Sequence, residues 1–448
     1  MIPELLSNLP KSILWAELSS FIMQIMKRRG FLYLIFMIYF SSAGIFAKGN
    51  LSEKISVSKV KVFLDEEEIT EETEKVQADG KIRYSTIMSY TKFRENKKFS
   101  EKQLQKETES TRLRLIDSGL FYSAEVEVRE SRKNPGTMVI YISVRTGFLL
   151  RFGGGNAYGF FGKAALGGRR NNLTGYLGYN KSGASYLDEN TFGLPLILGA
   201  SAFTNLPQSL AQKKPLTFDT FVKAGVFMTP DLKLGADLKT LFTVNEEPFA
   251  DFILSPFLCD TVWFSEKLVM KSELRFYNYF SDDWKGNSVE AAVNIDYSPF
   301  MKITLAGLLS GGAVINQKDK EDQTVKINLE KSALTLCDGL GLANRGIRSG
   351  YTAEELKVDC YGLFSAEIRW NAFDFILANC FPVTFTPYLF TDLALAKNYE
   401  DDGQDFLDAY GAGLLISFEC PVFAYFNFSY GLNHEGKGRF VFAAMQSF

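Results

Sequence analysis

The chain has 448 residues, enough for two or three domains, and a formal net charge of −3. A charge this close to neutral argues against a nucleic-acid partner, which would require a basic face. Aromatic residues make up 14% of the chain, with 40 Phe and 20 Tyr, and this composition is typical of a β-rich protein, including one that lies in a membrane.

The first feature along the chain is its one long apolar run, residues 31–47. The basic segment 26–29 precedes the run, and small residues close it. This order predicts a secretory signal peptide, so we assign residues 1–47 to a signal region. We expect the true start to be Met26, with residues 1–25 belonging to an over-extended reading frame. The alternative interpretation is an N-terminal transmembrane anchor.

Residues 48–147 are predicted to form a small α+β domain. The predicted order is strand, helix, helix, strand, strand, because valines alternate in the strand segments and Ser100 and Gln103 form a capping box before the longer helix. Residues 65–74 are expected to be a solvated acidic loop. A sheet of this kind leaves one edge open, and such an edge can accept an extended peptide as an added strand. The predicted elements are strand 55–64, helix 81–90, helix 100–117, strand 121–130 and strand 137–144.

Residues 148–448 are predicted to form a run of amphipathic strands with no helix of any length. Alternation alone fits a soluble sandwich as well as a transmembrane barrel. Three features favour the barrel: segments of about 9–14 residues, a signal peptide without a disulfide framework, and a last strand with Phe440, Phe442 and Phe448 on one face. We count sixteen strands, the even number expected of a closed antiparallel barrel. Their spans are 148–157, 160–168, 173–183, 190–205, 215–228, 232–243, 249–264, 267–281, 287–298, 301–314, 324–337, 360–372, 382–397, 407–419, 421–433 and 438–448.

The sequence offers no positive evidence for an enzyme. It contains no G-x-S-x-G, H-E-x-x-H or P-loop motif, and the only histidine, His434, lies in a predicted turn. The five cysteines are widely spaced and include no C-x-x-C pair, so they predict neither a metal site nor a disulfide framework. We therefore expect no catalytic residues, no cofactor and no metal.

The candidate functional residues begin in a glycine-rich loop before the twelfth predicted strand, which contains Arg345, Gly346, Ile347, Arg348 and Tyr351. One interpretation is an ordinary solvated loop. The other is a loop that folds into the barrel, where a guanidinium can bind carboxylates. On the next two strands, alternation places the carboxylates of Glu367 and Asp392 toward the lumen, together with Phe390. A buried cluster of arginine and carboxylates is the expected result.

Two parts of the chain resemble known families. Residues 115–121, followed by alternating valines, resemble the helix-to-strand junction of POTRA domains, which hold nascent outer-membrane or secreted polypeptides. Arg345-Gly346-Ile347, Glu367 and Phe390-Thr391-Asp392 resemble the R-G-aromatic loop, the twelfth-strand acid and the F-x-D motif of the BamA/TamA superfamily of assembly and translocation barrels. Ile347 departs from the usual aromatic. Tyr351 can supply the aromatic instead, which would make Arg348 the operative arginine; we favour Arg345.

The resemblance implies a bacterial outer-membrane barrel that assists insertion of outer-membrane proteins or translocation of polypeptides. A single POTRA-like domain in the periplasm would receive the client by β-augmentation, and Phe440, Phe442 and Phe448 would form the C-terminal strand signal. The implied partners are unfolded outer-membrane or secreted polypeptides, outer-membrane lipid and periplasmic accessory proteins. The alternative function is a passive outer-membrane pore for small solutes.

Overall fold

The N-terminal sheet is built around strand β1 (Ile55–Leu64), whose valines alternate with lysines and serines and so present one apolar face. The computed structural model describes residues 54–74, 81–147, 149–155, 158–178, 182–213, 215–244, 249–265, 267–280, 285–300, 302–317, 325–326, 347–351, 357–358, 360–377, 381–397, 404–418 and 424–446. These residues belong to one compact unit. The predicted signal region and the residues Arg345, Gly346 and Phe448 lie outside the described residues.

The small domain combines three helices with a mixed sheet in the order β2-β1-β5-β4, and β3 pairs with the start of β1. β1 and β5 run parallel, whereas β4 and β5 run antiparallel. The Ser100 side chain accepts from the backbone N–H of Gln103, and the Gln103 side chain accepts in return from the N–H of Ser100. This capping box starts the longest helix where the sequence predicts it. The elements are β2 (Glu67–Ile69), α1 (Glu71–Glu74), α2 (Tyr84–Met88), β3 (Lys98–Phe99), α3 (Glu101–Asp117), β4 (Phe121–Glu130) and β5 (Thr137–Thr146).

The expectation that residues 65–74 form a loop is wrong. Asp65 and Glu66 both adopt positive φ angles, 50° and 75°. That tight turn folds the chain back onto β1, and Ile69 pairs with Val62. The helix α1 follows directly, so the segment is largely ordered into secondary structure.

The remaining strands close into an antiparallel barrel of sixteen strands, which confirms the predicted fold class of a mainly β chain with a small α+β domain in front. β20 continues β19 after a short break, and both pair with β21. The barrel strands are β6 (Leu150–Gly155), β7 (Tyr158–Ala164), β8 (Asn171–Gly178), β9 (Ser182–Asp188), β10 (Leu196–Thr204), β11 (Leu216–Phe227), β12 (Leu232–Val244), β13 (Phe249–Ser265), β14 (Leu268–Phe280), β15 (Lys285–Phe300), β16 (Ile303–Gln317), β19 (Cys360–Trp370) with β20 (Phe373–Leu377), β21 (Phe381–Lys397), β22 (Gln404–Phe418), β23 (Ala424–Leu432) and β24 (Gly438–Gln446). A seven-residue helix, α4 (Leu206–Gln212), joins β10 to β11.

Two predicted strands differ from the observed ones, and the errors cancel in the count. The sequence analysis missed β9, which is separated from β10 by a turn in which Phe192 adopts a φ of 57°. Among the described residues, no barrel strand corresponds to the predicted strand 324–337, because β16 pairs directly with β19. Only β17 (Val325–Lys326) is described in that span, and it pairs with β18 (Lys357–Val358) in a separate two-stranded sheet.

The barrel is apolar outside and charged inside. On β19, the side chains of Phe364 and Ile368 are 47% and 57% exposed, whereas that of Glu367 is 2% exposed. On β21, Leu389 is 64% exposed and Asp392 is fully buried. A soluble protein distributes these residue types the other way round, so this arrangement is that of a barrel built to face hydrocarbon.

The barrel closes between β24 and β6, and fewer described residues pair there than in any other ladder of the barrel. Among the described residues, β24 pairs with β6 at two positions, Ala443 with Gly155 and Ala444 with Gly154. By contrast, β21 and β22 pair at fifteen positions, from Val383 to Lys397. The junction between the first and last strands is therefore the weakest ladder in the described barrel wall.

The small domain contacts the barrel through buried ion pairs at the short turns. Arg114 on α3 binds Asp231, in the turn between β11 and β12, with its Nε 2.6 Å from Oδ1 and its Nη2 2.9 Å from Oδ2. The Nζ of Lys92 lies 2.7 Å from the same carboxylate. At the start of β14, the Nζ of Lys271 lies 3.1 Å from Asp117. The two sheets are thus held together by charge-assisted hydrogen bonds.

Candidate functional site in the barrel lumen

The site is built on two adjacent strands, β19 and β21, whose alternation turns every second side chain inward. Ser365 and Asp392 are register partners, and so are Glu367 and Phe390. The carboxylates of Glu367 and Asp392 therefore lie diagonally on neighbouring strands within reach of one guanidinium. Both carboxylates are buried. Their inward placement is as the sequence alternation predicts.

Arg348 fills the space between these two carboxylates. Its Nε lies 2.9 Å from Oδ2 of Asp392, its Nη2 lies 2.6 Å from Oδ1, and its backbone N–H donates to Oδ2 at 3.0 Å. Its Nη1 donates to Oε1 of Glu367. Arg348 itself is 1% exposed. The planar guanidinium thus binds one carboxylate in bidentate fashion and a second one at its edge, a geometry that lysine cannot reproduce.

The geometry bears directly on the choice between the two arginines. Arg348, the alternative in the sequence analysis, makes the described contacts with both acids, whereas the favoured Arg345 lies outside the described residues together with Gly346. Ile347 is fully buried and belongs to the apolar cluster around the site. The ring of Phe390 lies 3.8 Å from the guanidinium carbon of Arg348, so Phe390 contributes a cation–π contact to the same group.

A second arginine extends this set, which we call the Arg348 cluster (Arg348, Glu367, Asp392). The Nε of Arg369 lies 2.7 Å from Oε2 of Glu367, and its Nη1 lies 3.7 Å from Oδ1 of Asp296 on β15. Glu367 therefore accepts from one arginine on each of its oxygens. The sequence analysis did not assign Arg369 to the site, although its position two residues after Glu367, on the same face of β19, was the available signal.

Glycines on β22 and β23 make room for the aromatic side chains of β21. A Cβ on Gly413 would lie 2.3 Å from the ring of Tyr388, and one on Gly411 would lie 2.7 Å from the ring of Phe390. A Cβ on Gly431 would lie 1.9 Å from the carbonyl oxygen of Arg348. These strands thus lack side chains where the β21 rings and the arginine backbone approach most closely. The sequence analysis did not identify these glycines as part of the site.

Tyr351 and the strand signal residues lie elsewhere. The hydroxyl of Tyr351 donates to Oδ1 of Asp408 on β22 at 3.1 Å, and not to either acid of the Arg348 cluster. Phe440 is exposed on the outer wall, and Phe442 stacks near Phe426 and Phe428 on that wall. Their shared outward face agrees with the predicted alternation; Phe448 lies outside the described residues.

A further ion cluster lies on the strands that contact the small domain. The Nη1 of Arg275 on β14 lies 2.5 Å from Oδ2 of Asp237 on β12, and its Nε lies 2.8 Å from Oε1 of Glu273. Lys223 on β11 reaches Asp237 at 4.0 Å. All four side chains are buried. The inner wall therefore carries paired charges on β11, β12 and β14 as well as on β19 and β21.

The described residues offer a binding and bracing site more readily than a catalytic one. No three of their His, Cys, Asp or Glu side chains come together as they would to hold a metal ion. The Arg348 cluster joins each acid to a guanidinium that stays charged and fixes the positions of both carboxylates. In the part of the chain that the structure describes, no helix is long and apolar enough to cross a membrane.

Comparisons with known proteins return similar structures but no sequence family. No family model matches the chain, and no curated protein sequence does. In structure, the chain is similar to BamA and CdiB. A BamA chain from Haemophilus ducreyi that lacks POTRA domains 1–3 is 15% identical, with a TM-score of 0.44, and the match covers 89% of this chain and 86% of that chain.

Two CdiB structures are similar to a comparable extent. CdiB from Escherichia coli is 10% identical with a TM-score of 0.47, covering 90% of this chain and 92% of that chain. CdiB from Acinetobacter baumannii is 12% identical with a TM-score of 0.46, covering 88% of this chain and 74% of that chain. At these identities and scores, the description of the barrel rests on its own strand pairing.

Proposed function

We propose that this chain is an outer-membrane barrel of the BamA/TamA type that assists insertion of outer-membrane proteins or translocation of polypeptides. The observation that carries the proposal is the Arg348 cluster. A loop arginine binds the acid of the strand after the loop and the acid of an F-x-D motif on the next strand. Glu367 and Asp392 are positions at which the sequence resembles that superfamily, and Arg348 is the alternative arginine of its loop motif; the three are joined in one buried site.

Two further features support the proposal. The outward apolar face of the barrel fits the hydrocarbon of a membrane, and the secretory signal peptide predicted from the sequence would direct the chain to export; both support an outer-membrane location. The ladder between β6 and β24 has two paired positions in the part of the chain that the structure describes. Opening it would expose two strand edges at the cost of few hydrogen bonds, and a client strand would pair with either edge.

The small domain would receive the client first. β4 lies at the end of its sheet and pairs only with β5 among the described strands. Its backbone groups on the other side are free to bind an extended segment by β-augmentation. Because α3 and the neighbouring loop hold this domain at the barrel turns through Asp231, a segment bound at β4 would be delivered beside the barrel in the periplasm.

Depletion of the protein followed by quantitative proteomics of the outer membrane tests the proposal. We expect the amounts of other barrel or surface proteins to fall. The wild-type chain should restore those amounts, whereas a variant whose β4 edge cannot pair with a client strand should not. A passive pore for small solutes gives the opposite result, with lost solute uptake and an unchanged membrane proteome, and that outcome would overturn the proposal.

Photo-crosslinking tests the client edge separately. A photoreactive residue at Glu127 on β4 should capture unfolded polypeptide in living cells, whereas the same residue at Glu68 on the opposite edge strand β2 should capture far less. Equal capture at both positions would contradict binding at β4.

A further inference from the structure

A second polar centre lies beside the Arg348 cluster, around Asp408 on β22. Asp408 is buried, and its Oδ1 accepts from three donors: the Tyr351 hydroxyl at 3.1 Å, the backbone N–H of His434 at 3.3 Å and the ring Nδ1 of His434 at 2.7 Å. We call Asp408, Tyr351 and His434 the Asp408 cluster. Tyr351 belongs to the loop that carries Arg348, whereas His434 belongs to the turn between β23 and β24. One carboxylate therefore joins two segments that are far apart in the chain.

The backbone of Asp408 strengthens the same connection on the loop side. Its N–H donates to the Tyr351 hydroxyl at 3.2 Å, and its carbonyl accepts from the Ser349 hydroxyl at 3.2 Å. Ser349 is fully buried. The described loop residues 347–351 are thus attached to β22 at Ser349 and Tyr351, and to the acids of β19 and β21 at Arg348.

The loop backbone also rests directly on the last hairpin. The N–H of Gly350 donates to the carbonyl of Lys437 at 3.3 Å. A Cβ on Gly350 would lie 3.0 Å from the carbonyl oxygen of Gly438, the first residue of β24. A loop with a side chain at this position could not approach the hairpin so closely. The contacts therefore combine side-chain hydrogen bonds at Asp408 with backbone packing against the start of β24.

These contacts place the loop against the strand that closes the barrel. Among the described residues, β23 and β24 pair at nine positions, so the hairpin moves as a rigid element, while β24 and β6 pair at two. We infer that Asp408 is a positioning residue that fastens the Arg348 loop to the last hairpin and thereby holds the β24 edge against β6. Release of the Tyr351 or His434 contact would free β24 to separate, without breaking the Arg348 cluster itself.

This inference rests on the proposed function, because it regulates the same junction through which a client would enter. Its physical content is independent of any client, however. The inference predicts a mechanical coupling between residues 347–351 and the amides of β24 that is measurable in the purified full-length chain in lipid nanodiscs.

Hydrogen–deuterium exchange tests the coupling. Tyr351→Phe removes the hydroxyl that bridges the loop to Asp408 and keeps the ring, and His434→Ala removes the contact on the hairpin side. In both variants we expect the amides of β24 and β6 to exchange about fivefold faster, the factor that the loss of one ordinary hydrogen bond makes in an opening equilibrium. The amides of β12 and β13, across the barrel, should be unchanged.

Tyr361→Phe is the matched control. It removes a hydroxyl that donates to Glu290 at 3.3 Å inside the lumen, away from the last hairpin. We expect no change at β24 in this variant. Faster exchange confined to residues 347–351, or equal acceleration at β24 in Tyr361→Phe, would overturn the inference.

The readouts separate this inference from the proposed function. If β24 loosens in Tyr351→Phe while depletion leaves other outer-membrane proteins unchanged, the coupling stands and the proposed function fails. If depletion lowers those proteins while β24 exchange is unchanged in Tyr351→Phe and His434→Ala, the coupling is overturned and the proposed function stands.

Discussion

At the scale of single residues, one guanidinium, that of Arg348, holds the two buried acids of the lumen site in place. Arg348 donates to Asp392 through its side chain and its backbone and to Glu367 through Nη1, and it stacks on Phe390. Bringing these charges out of water costs several kcal/mol per ion, so the gain lies in a fixed geometry more than in net stability. Removing one member leaves the others buried without compensation, which makes the cluster sensitive to single substitutions.

Arg348→Ala should lower the free energy of unfolding by about 3–5 kcal/mol, because Asp392 and Glu367 would remain buried without their shared cation. Glu367→Ala and Asp392→Ala should have similar effects. The loss of stability is measured as a lower temperature at which the folded barrel converts to the slower-migrating unfolded form in gel electrophoresis. Arg345→Ala in the same loop is the matched comparison, and a loss as large as that of Arg348→Ala would show that Arg348 is not the operative arginine.

His434 offers a direct probe of the Asp408 cluster, because it is the only histidine of the chain and gives a single ring resonance. The hydrogen bond that the His434 ring donates to Asp408 raises the pKa of the imidazole above its ordinary value, and the Glu435 carboxylate adds to this while the Lys437 ammonium opposes it. Asp408→Asn should therefore lower the pKa of His434, as measured by NMR titration of ring-labelled protein. An unchanged titration curve would contradict the contact.

The sign of the pH dependence follows from that raised pKa. A histidine whose pKa is higher in the folded chain than in the unfolded one stabilises the fold fully below the unfolded value. That contribution is lost as the pH rises through the folded value. The His434 contact should thus tighten at mildly acidic pH.

At the scale of elements, the alternation of side chains and the turn residues predict most of the strands. They do not predict which backbone positions on neighbouring strands lie close to a ring or to another backbone segment. The inward direction of Glu367 and Asp392 follows from period-two alternation, and the capping box at Ser100 correctly marks the start of α3. By contrast, the positive φ of Phe192 hid β9, since a phenylalanine in a left-handed turn carries no sequence signal. The roles of Gly411, Gly413 and Gly431 were hidden for a similar reason, because they depend on which rings lie opposite, and register is a property of the folded sheet.

Gly431→Ala should displace the Arg348 loop, because a Cβ there would lie 1.9 Å from the Arg348 carbonyl oxygen and backbone cannot rotate away as a side chain can. We expect a loss of about 1–3 kcal/mol of stability, as for other overpacking substitutions. Gly175→Ala on β8 is the matched control, since its nearest described atom would lie 3.7 Å away. Equal thermal midpoints for the two variants would show that the loop tolerates the added methyl group.

At the scale of the whole molecule, the small domain and the barrel are joined by buried charges around Asp231. Burial alone would raise the pKa of the Asp231 carboxyl, but the Arg114 guanidinium, with Lys92 beside it, holds that pKa below its ordinary value. In the same interface, the Arg170 and Lys233 cations outweigh burial and lower the pKa of Glu189 to about 2. A lowered carboxyl pKa contributes stability above the unfolded value and loses it as the pH falls through the folded value. The connection should therefore persist at neutral pH and weaken only in acid.

Asp231→Asn should loosen the small domain from the barrel, since Arg114 and Lys92 would both lose their carboxylate. Distances between spin labels on α3 and on the β13–β14 turn should broaden at neutral pH, by an amount that the wild-type chain reaches only in acid below the lowered pKa of Asp231. Glu66→Gln is the control, because it breaks an exposed pair with Arg145 at 3.0 Å that contributes little. A narrow distance distribution in Asp231→Asn would contradict the role of Asp231.

The pairing between β6 and β24 also bears on the order in which the barrel strands can assemble. Every other pair of neighbouring barrel strands is adjacent in sequence, apart from the one that spans the Arg348 loop, and such hairpins close short loops quickly. Gly154 and Ala444 are separated by almost the entire barrel sequence, so their pairing carries the largest loop-closure entropy in the sheet. We therefore expect closure to be the last step of folding, which gives the newly made barrel an interval in which its first and last strands each have one unpaired edge.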